Sequence, residues 1–297
     1  MTVSLRIFNS LWAMEDLPWH AALRWSLPEQ LDRLVEAEFD GVAIDLGARR
    51  RPDALVLAPL LRERRLDAAV FAFVRDDDDL DAALRYADSV DADRMVVCGC
   101  VFDTDITAVA DTVGRWRRRC AAAGVRMQLE THRNTLTDDM RTTTRLLSEL
   151  DDEVNLAIDL SHYVCGSEIP LQPTEEIEGH LRALFARAES VQGRIATRCQ
   201  VQIPLGFPQH REWEELFQDW WIRALTAVVD RRRRTASSEP VMFCTELGPT
   251  PYAITDRDGQ ELSDRWADTL TLRERATAAF AEALRRVPTP LSSGTTP

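Results

Sequence analysis

The chain has 297 residues, 45% of them hydrophobic, and a formal net charge of −13 at pH 7. This charge repels phosphate backbones and anionic lipid surfaces, so it argues against nucleic acid and membranes as partners. The hydrophobic content is that of a globular protein, and no window approaches the roughly 18 apolar residues of a membrane-spanning helix.

Apolar runs of strand length alternate with segments of helical period along the chain. The predicted strands are 4–9, 41–46, 68–74, 94–100, 125–132, 155–160, 194–203 and 241–247. The predicted helices are 28–39, 52–65, 78–90, 105–124, 139–150, 174–190, 211–231 and 271–287. This order is typical of right-handed βαβ units around a parallel sheet.

Eight such units predict an α/β fold, a (β/α)8 TIM barrel that forms a single domain over residues 1–287. A doubly wound open sheet is the alternative, but no GxGxxG motif follows the first strand. Residues 288–297, PTPLSSGTTP, have the composition of a disordered C-terminal tail.

Basic and sulfur-containing residues narrow the chemistry further. The chain has no lysine, which excludes a Schiff base or a lysine general base. Its six cysteines form no CxxC pair, so we expect them to be reduced and buried. The N-terminus lacks the pattern of a signal peptide, and we expect a cytoplasmic protein.

Acidic residues end three of the predicted strands. Glu130, Asp159 and Glu246 each follow several apolar residues. Because the C-terminal strand ends of a barrel surround one mouth, these carboxylates are expected to converge there. Three converging carboxylates repel each other unless a positive charge lies among them, and a divalent cation meets that need.

Side-chain alternation adds further candidates, since every second residue of a strand faces the same way. Glu130 and His132 share one face of the fifth strand. His162 lies on the loop above Asp159, where it could meet a substrate. On the predicted seventh strand, one face carries Arg198, Gln200 and Gln202.

Three segments together resemble the xylose isomerase-like TIM-barrel superfamily of sugar phosphate isomerases and epimerases: LETHRNTLTDD, AIDLSHYVCGSE and CTELGPTPY. The order of the motifs is preserved, with Glu then His at the fifth strand, Asp-x-x-His at the sixth and Glu before Gly-Pro at the eighth. The likeness covers nearly the whole barrel.

The resemblance implies a divalent cation, Mn, Mg, Co or Zn, ligated by Glu130, Asp159 and Glu246. Glu130 and Glu246 would also form the catalytic acid/base pair on opposite faces of a bound sugar. His162 and Arg198 match positions that hold substrate oxygens, and His132 and Gln202 are further substrate-binding candidates.

One position departs from the family pattern. The family's fourth ligand is a histidine on strand seven, two places before an arginine, and here that position is Ala196. Gln200 or Gln202 could supply a neutral oxygen instead, although an amide is a weaker ligand than imidazole for these metals. Two alternatives follow: three carboxylates plus water hold the metal, or the site has lost it.

These observations predict a metal-dependent isomerase or epimerase that abstracts a proton next to a carbonyl, through an enediolate. The substrate would be a small carbohydrate-like molecule. A lyase on the same scaffold, either an inosose-type dehydratase or a C-glycoside-cleaving enzyme, is one alternative. A non-catalytic binding or partner subunit is another. The sequence leaves open whether the chain forms a homo-oligomer.

Overall fold

The structure, a computed structural model, describes residues 3–19 and 21–288. Eight parallel strands close into a barrel in sequence order, with β8 paired to β1. The strands are β1 Leu5–Ser10, β2 Gly41–Asp45, β3 Asp67–Val74, β4 Arg94–Gly99, β5 Arg126–Glu130, β6 Asn155–Ile158, β7 Ala188–Gly193 and β8 Val241–Thr245. The predicted α/β class and the TIM barrel are therefore confirmed.

Helices surround the barrel and cover the outer face of its strands. They are α1 Leu27–Glu36, α2 Ala54–Arg64, α3 Asp77–Ser89, α4 Ile106–Ala122, α5 Met140–Glu149, α6 Leu160–Gly166, α7 Glu175–Ala186, α8 Arg211–Arg234 and α9 Arg265–Arg286. Short 3₁₀ helices lie at Trp12–Met14 and Pro208–His210. The largest hydrophobic cluster fills the layer between helices and strands.

Polar residues begin most of these helices by accepting hydrogen bonds from otherwise unpaired backbone N–H groups. Asp105 accepts from the N–H groups of Thr107 and Ala108 at the start of α4. Ser26 and Glu29 form a capping box at α1, with a proline in the first turn as the sequence indicates. Caps of this kind place each helix start at a defined point after its strand.

The seventh strand is the one strand whose predicted position is wrong. The ends of the other strands lie within two residues of the prediction, whereas β7 is Ala188–Gly193 and not 194–203. The sequence pattern extends the preceding helix to residue 190, but that helix ends at Ala186. The apolar side chains of Ile195 and Ile203 are buried in the loop after β7, which explains the misleading strand pattern.

The barrel interior contains a second, smaller core. It is formed by Phe8, Ala43, Ala69, Phe71, Val96, Ala157, Met242 and Cys244. Because side chains alternate across a strand, the next inward positions toward the C-terminal ends are Asp45, Cys98, Glu130, Asp159 and Glu246. The apolar interior therefore ends in a polar layer at the barrel mouth.

Three further sequence predictions concern the cysteines, the C-terminal tail and membrane-spanning helices. All six cysteines are free, but only Cys98, Cys120 and Cys244 are buried. Cys100 and Cys165 are half-buried and Cys199 is exposed, so the expectation of burial is confirmed for three of the six. The predicted tail falls almost entirely on residues 289–297, which lie outside the described part of the chain. Across residues 3–19 and 21–288, no helix combines the length and apolar character needed to cross a membrane.

Candidate active site

Three carboxylates meet at the C-terminal mouth of the barrel. Glu130 ends β5, Asp159 directly follows β6, and Glu246 directly follows β8. One oxygen of each lies within 4.8 Å of the others. All three side chains are buried, so water contributes little to screening their mutual repulsion. The strand ends thus concentrate negative charge at one place.

Arg194 supplies the opposite charge. It is the first residue after β7, on the same face as Ser190 and Gln192, and only 2% of it is exposed. Its Nη2 donates to Asp159 Oδ2 and lies 3.7 Å from Glu246 Oε2. Its Nε donates to Ser161 Oγ at 2.9 Å. A buried charge needs such partners, and Arg194 takes all of them from the barrel mouth.

The protonation of the acids reflects their burial. Burial, together with the charge of Glu246, raises the pKa of Glu130 well above its usual range. Burial also raises the pKa of Glu246 to about 7, against the opposing effect of Arg194. The pKa of Asp45, which ends β2 in the same cavity, is raised to about 6 by burial. Carboxyl groups shifted toward neutral pH can donate as well as accept protons.

Two histidines pack together beside the acids. The ring centroids of His132 and His162 are 3.8 Å apart. Burial lowers the pKa of His132 to about 4 and that of His162 well below its usual value, with Arg194 adding to the latter effect. Both imidazoles are therefore neutral at pH 7 and can hydrogen-bond without adding charge.

The tautomers of the two imidazoles follow from their partners. His132 Nδ1 lies 2.6 Å from the carbonyl oxygen of Arg133, which can only accept, so Nδ1 carries the proton. His162 Nε2 accepts from Arg194 Nη2 at 2.8 Å, which places the His162 proton on Nδ1. That Nδ1 is buried and has no partner among the described residues.

A cavity opens above these groups. It contains about 370 Å³ of space between atoms, part of it open to solvent. Aromatic side chains form much of its wall, and they are joined by Asp45, Cys98, Glu130, His132, Arg194 and Glu246. Clefts of about 710 to 980 Å³ lie elsewhere on the molecule. We place the site in the smaller cavity because it contains the buried charged groups.

Strand β3 and the segments after β1 and β8 supply the aromatic wall. Trp12 follows β1, Phe73 lies near the end of β3, and Tyr252 lies in the loop after β8. The Trp12 and Tyr252 rings meet edge to face, with centroids 4.9 Å apart. The guanidinium carbons of Arg133 and Arg194 lie 5.3 and 5.2 Å from the Tyr252 ring centre. These rings offer a flat apolar surface next to the acids.

The residues predicted on strand seven lie elsewhere. Arg198 and Gln200 are in the loop after β7, both are exposed, and neither lines the cavity. Arg198 forms an ion pair with Glu168, and the side-chain oxygen of Gln200 accepts from Thr197. The alternation argument that placed them at the mouth is wrong, because they are not on a strand.

Gln202 is buried, but its amide is fully used by the backbone. Its Nε2 donates to the carbonyl oxygen of Gly248 at 3.0 Å, and its Oε1 accepts from the N–H of Gly248 at 2.8 Å. Gln202 therefore joins the β7 loop to the segment that follows Glu246. Its predicted role in substrate binding stays a prediction.

Several site residues were missed because β7 was misplaced. With the strand at 188–193, alternation alone puts Ser190, Gln192 and Arg194 on the inward face. Ala196 lies in the loop after β7, so it is not a strand-seven position at which the family's histidine ligand could be expected. Cys98 could have been found by alternation on β4. Trp12 starts a 3₁₀ helix of three residues and Tyr252 lies in a loop, and periodicity carries no signal in such short or irregular segments.

The donor set fits a divalent cation. Gln192 Oε1 and Glu246 Oε2 are buried without hydrogen-bond partners among the described residues. Together with Glu130 and Asp159 they offer carboxylate and amide oxygens. Such oxygen donors suit Mg²⁺ or Mn²⁺ better than Zn²⁺, for which nitrogen and sulfur ligands are typical.

The fold was compared with solved structures. The structure matches a xylose isomerase-like TIM barrel protein from Mycobacterium smegmatis in complex with magnesium, with a TM-score of 0.57 and 13% identity, over 94% of this chain and 100% of that chain. The chain has the xylose isomerase-like TIM-barrel fold. No protein-family model matches the sequence, and no curated protein matches it.

Further solved structures that match this fold are named for different reactions. D-allulose 3-epimerase from Methylomonas sp. matches with a TM-score of 0.57 and 14% identity, over 95% of this chain and 99% of that chain. The probable 3-DHS dehydratase AsbF from Bacillus anthracis matches with a TM-score of 0.55 and 12% identity, over 90% and 98%. The chain also spans 46% of a longer fusion of a xylose isomerase-like TIM barrel with a 4-hydroxyphenylpyruvate dioxygenase.

Proposed function

We propose that the protein is an isomerase or epimerase of a sugar, polyol or related hydroxy-carbonyl compound. The reaction is proton transfer at the carbon next to the carbonyl. The observation that carries this proposal is the pair Glu130 and Glu246, two buried carboxyl groups that line one cavity. Two carboxyl groups so placed can exchange protons with a weak carbon acid.

The two glutamates are held differently. Cys98 Sγ donates to Glu130 Oε2 at 3.1 Å, which orients that carboxylate. Glu246 Oε2 has no hydrogen-bond partner among the described residues and is free to take or hold a proton. In the proposed reaction one glutamate removes the proton from carbon, and the other returns a proton to the opposite face of the same carbon or to the neighbouring one.

The neighbouring groups bind and orient the substrate. The neutral imidazole of His132 lines the cavity and can hydrogen-bond a hydroxyl group without adding charge to the site, while the buried His162 packs against it. Trp12 and Tyr252 can cover the apolar face of a sugar ring. A neutral, carbohydrate-like substrate also suits the acidic charge of the chain and of the site.

A divalent cation is the proposed cofactor. Glu130, Asp159, Gln192 and Glu246 would hold it, in place of the ligand set that included Gln200. When bound, it would polarise the substrate carbonyl and stabilise the negative charge that develops on oxygen. The magnesium complex of a protein with the same fold supports this assignment, and the oxygen-rich donor set favours Mg²⁺ or Mn²⁺.

The test is hydrogen exchange in heavy water. The purified protein with added Mn²⁺ is incubated in D₂O with a panel of ketoses, aldoses and inososes, and deuterium incorporation is followed by mass spectrometry. We expect exchange at a carbon next to the carbonyl. Glu130→Gln and Glu246→Gln should each lose about a hundredfold or more of the exchange rate. Glu168→Gln, which changes an exposed acid, serves as the control.

The outcomes separate the alternatives. Full exchange in either glutamine variant would remove that glutamate from the mechanism. Loss of water from the substrate without isomerisation would identify a dehydratase, as in the AsbF neighbour. Absence of any turnover across the panel, in a protein that still binds the sugars, would favour a binding or partner subunit.

A further inference from the structure

Arg194 lies where its charge competes with a divalent cation. Its Nη2 donates to Asp159 Oδ2 and is 3.7 Å from Glu246 Oε2, and both acids belong to the cluster that would ligate the metal. We propose that Arg194 is a tethered cation of this site. It neutralises Asp159 when no divalent ion is bound and competes with that ion for the same oxygen atoms. The inference rests on the proposed metal site.

Asp159 is the point of competition. Its Oδ1 accepts from the N–H of Ser161 at 2.8 Å and so caps the start of α6. Its Oδ2 accepts from Arg194. Each carboxylate oxygen has two lone pairs, so a metal ion can share Oδ2 with Arg194 or Oδ1 with the cap of α6. A metal ion that shares Oδ2 lies next to the guanidinium, and the two positive charges repel each other.

Charge alone leaves room for both cations in the cluster. Asp45, Glu130, Asp159 and Glu246 are four acids, and Arg194 is the one arginine paired with them among the described residues. If all four acids are ionised, Arg194 and a divalent ion together leave the cluster slightly negative. The competition therefore concerns one set of oxygen atoms, and the two cations are not mutually exclusive.

Arg194 has contacts besides Asp159 that can hold its guanidinium. Its Nε donates to Ser161 Oγ at 2.9 Å, which anchors the side chain without involving Asp159. Its guanidinium carbon is 5.2 Å from the centre of the Tyr252 ring, within the range of a cation–π contact. After releasing Asp159, the guanidinium can keep the hydroxyl of Ser161 and the face of Tyr252.

The consequence is a metal affinity weaker than the ligand set alone would give. A ligand that must displace a bound competitor is weakened by the free energy of that competitor's own contacts. Removing the charge of Arg194 should therefore strengthen metal binding and, in the metal-free protein, weaken the fold. A role limited to packing would change stability without strengthening metal binding.

The experiment measures Mn²⁺ binding by isothermal titration calorimetry on chelator-treated protein. The variants are Arg194→Met and Arg194→Gln, the second retaining an amide that can donate to Asp159 should the first fail to fold. Arg94→Met is the matched control. Like Arg194, Arg94 is buried and forms an ion pair, but it starts β4 and lies over Phe8, at the opposite end of the barrel from the acids. Circular dichroism checks that each variant is folded.

We expect about tenfold or more tighter Mn²⁺ binding in both Arg194 variants, and a larger increase in melting temperature on adding Mn²⁺ than in the wild type. Arg94→Met should bind Mn²⁺ like the wild type.

Unchanged or weaker binding in folded Arg194 variants would overturn the competition and leave the proposed metal site intact. Binding in the variants alone would support the competition and remove the metal from the proposed function. Absence of binding in every protein would overturn both.

Discussion

Arg194 donates a hydrogen bond to Asp159 across 35 positions of sequence, and both side chains are buried at the mouth of the barrel. The pair joins the ends of β6 and β7, which are adjacent strands. Among the described arginines, Arg194 is the only one that forms an ion pair with Asp159, and it lies inside the proposed active site. The same contact therefore contributes to folding and to the electrostatics of the site.

Replacing Asp159 with Asn should affect both properties. The substitution leaves the buried guanidinium of Arg194 without the nearer of its two carboxylate partners, and we expect a loss of about 3 kcal/mol in the free energy of unfolding. It also removes a carboxylate from the proposed metal site. Urea unfolding and elemental mass spectrometry of never-chelated protein measure the two effects. Asp111→Asn, on the exposed face of α4, is the control. Metal content equal to wild type in Asp159→Asn would contradict the assigned ligand.

Gln202→Ala tests whether this glutamine holds the backbone or a substrate. Its amide makes two buried hydrogen bonds to Gly248, and removal leaves a buried N–H and a carbonyl unpaired. We expect the free energy of unfolding to fall by about 2 kcal/mol, with metal binding retained. Thermal unfolding and Mn²⁺ titration measure this, with exposed Gln260→Ala as control. Unchanged stability combined with lost substrate binding would instead support the substrate role predicted from sequence.

Gly248→Ala tests the packing of the cavity wall. A Cβ at this position would overlap the indole of Trp12, which lines the cavity and contacts Tyr252. We expect a loss of about 1–3 kcal/mol in stability because the ring must move. The double variant Gly248→Ala with Trp12→Leu removes the overlap. Its loss in free energy of unfolding should therefore be smaller than the sum of the losses of the two single variants. Strict additivity in urea unfolding would show that Trp12 is not the obstacle.

Asp268→Asn tests a pH dependence remote from the acids of the cavity. Asp268 accepts from Ser263 Oγ at 2.7 Å and from the N–H of Leu205 at 3.3 Å, and burial raises its pKa from 3.8 to about 6. The folded state thus holds this proton more tightly than the unfolded state. Its contribution to stability is complete below about pH 4 and is lost as the pH rises through about 6.

The asparagine variant has no proton to lose at this position. Relative to wild type, its free energy of unfolding should therefore improve between about pH 4 and pH 7. Urea unfolding of the two proteins at matched pH values measures the difference, in which the contributions of all other groups cancel. A difference that stays constant across this range would contradict the raised pKa of Asp268.

Local pattern accounts for most of the fold prediction. The alternation of apolar runs with helical segments was enough to predict the barrel, because each βα unit buries its own apolar side chains in a regular period. The pattern failed at β7, whose inward positions are the polar Ser190 and Gln192. The loop that follows carries Ile195 and Ile203, which look like strand residues and are buried for a different reason.

The same distinction holds for the site. Glu130, Asp159 and Glu246 could be named from sequence alone, because an acid that ends an apolar strand is a local signal and the barrel brings all strand ends to one mouth. Barrel closure decided the partners of these acids, since Arg194, Gln192, Trp12 and Tyr252 come from segments far apart in the chain. Their contacts depend on strand register and loop course, which no local period encodes. The sequence by itself thus determined the barrel and its three acids, while the tertiary structure decided that an arginine lies among them.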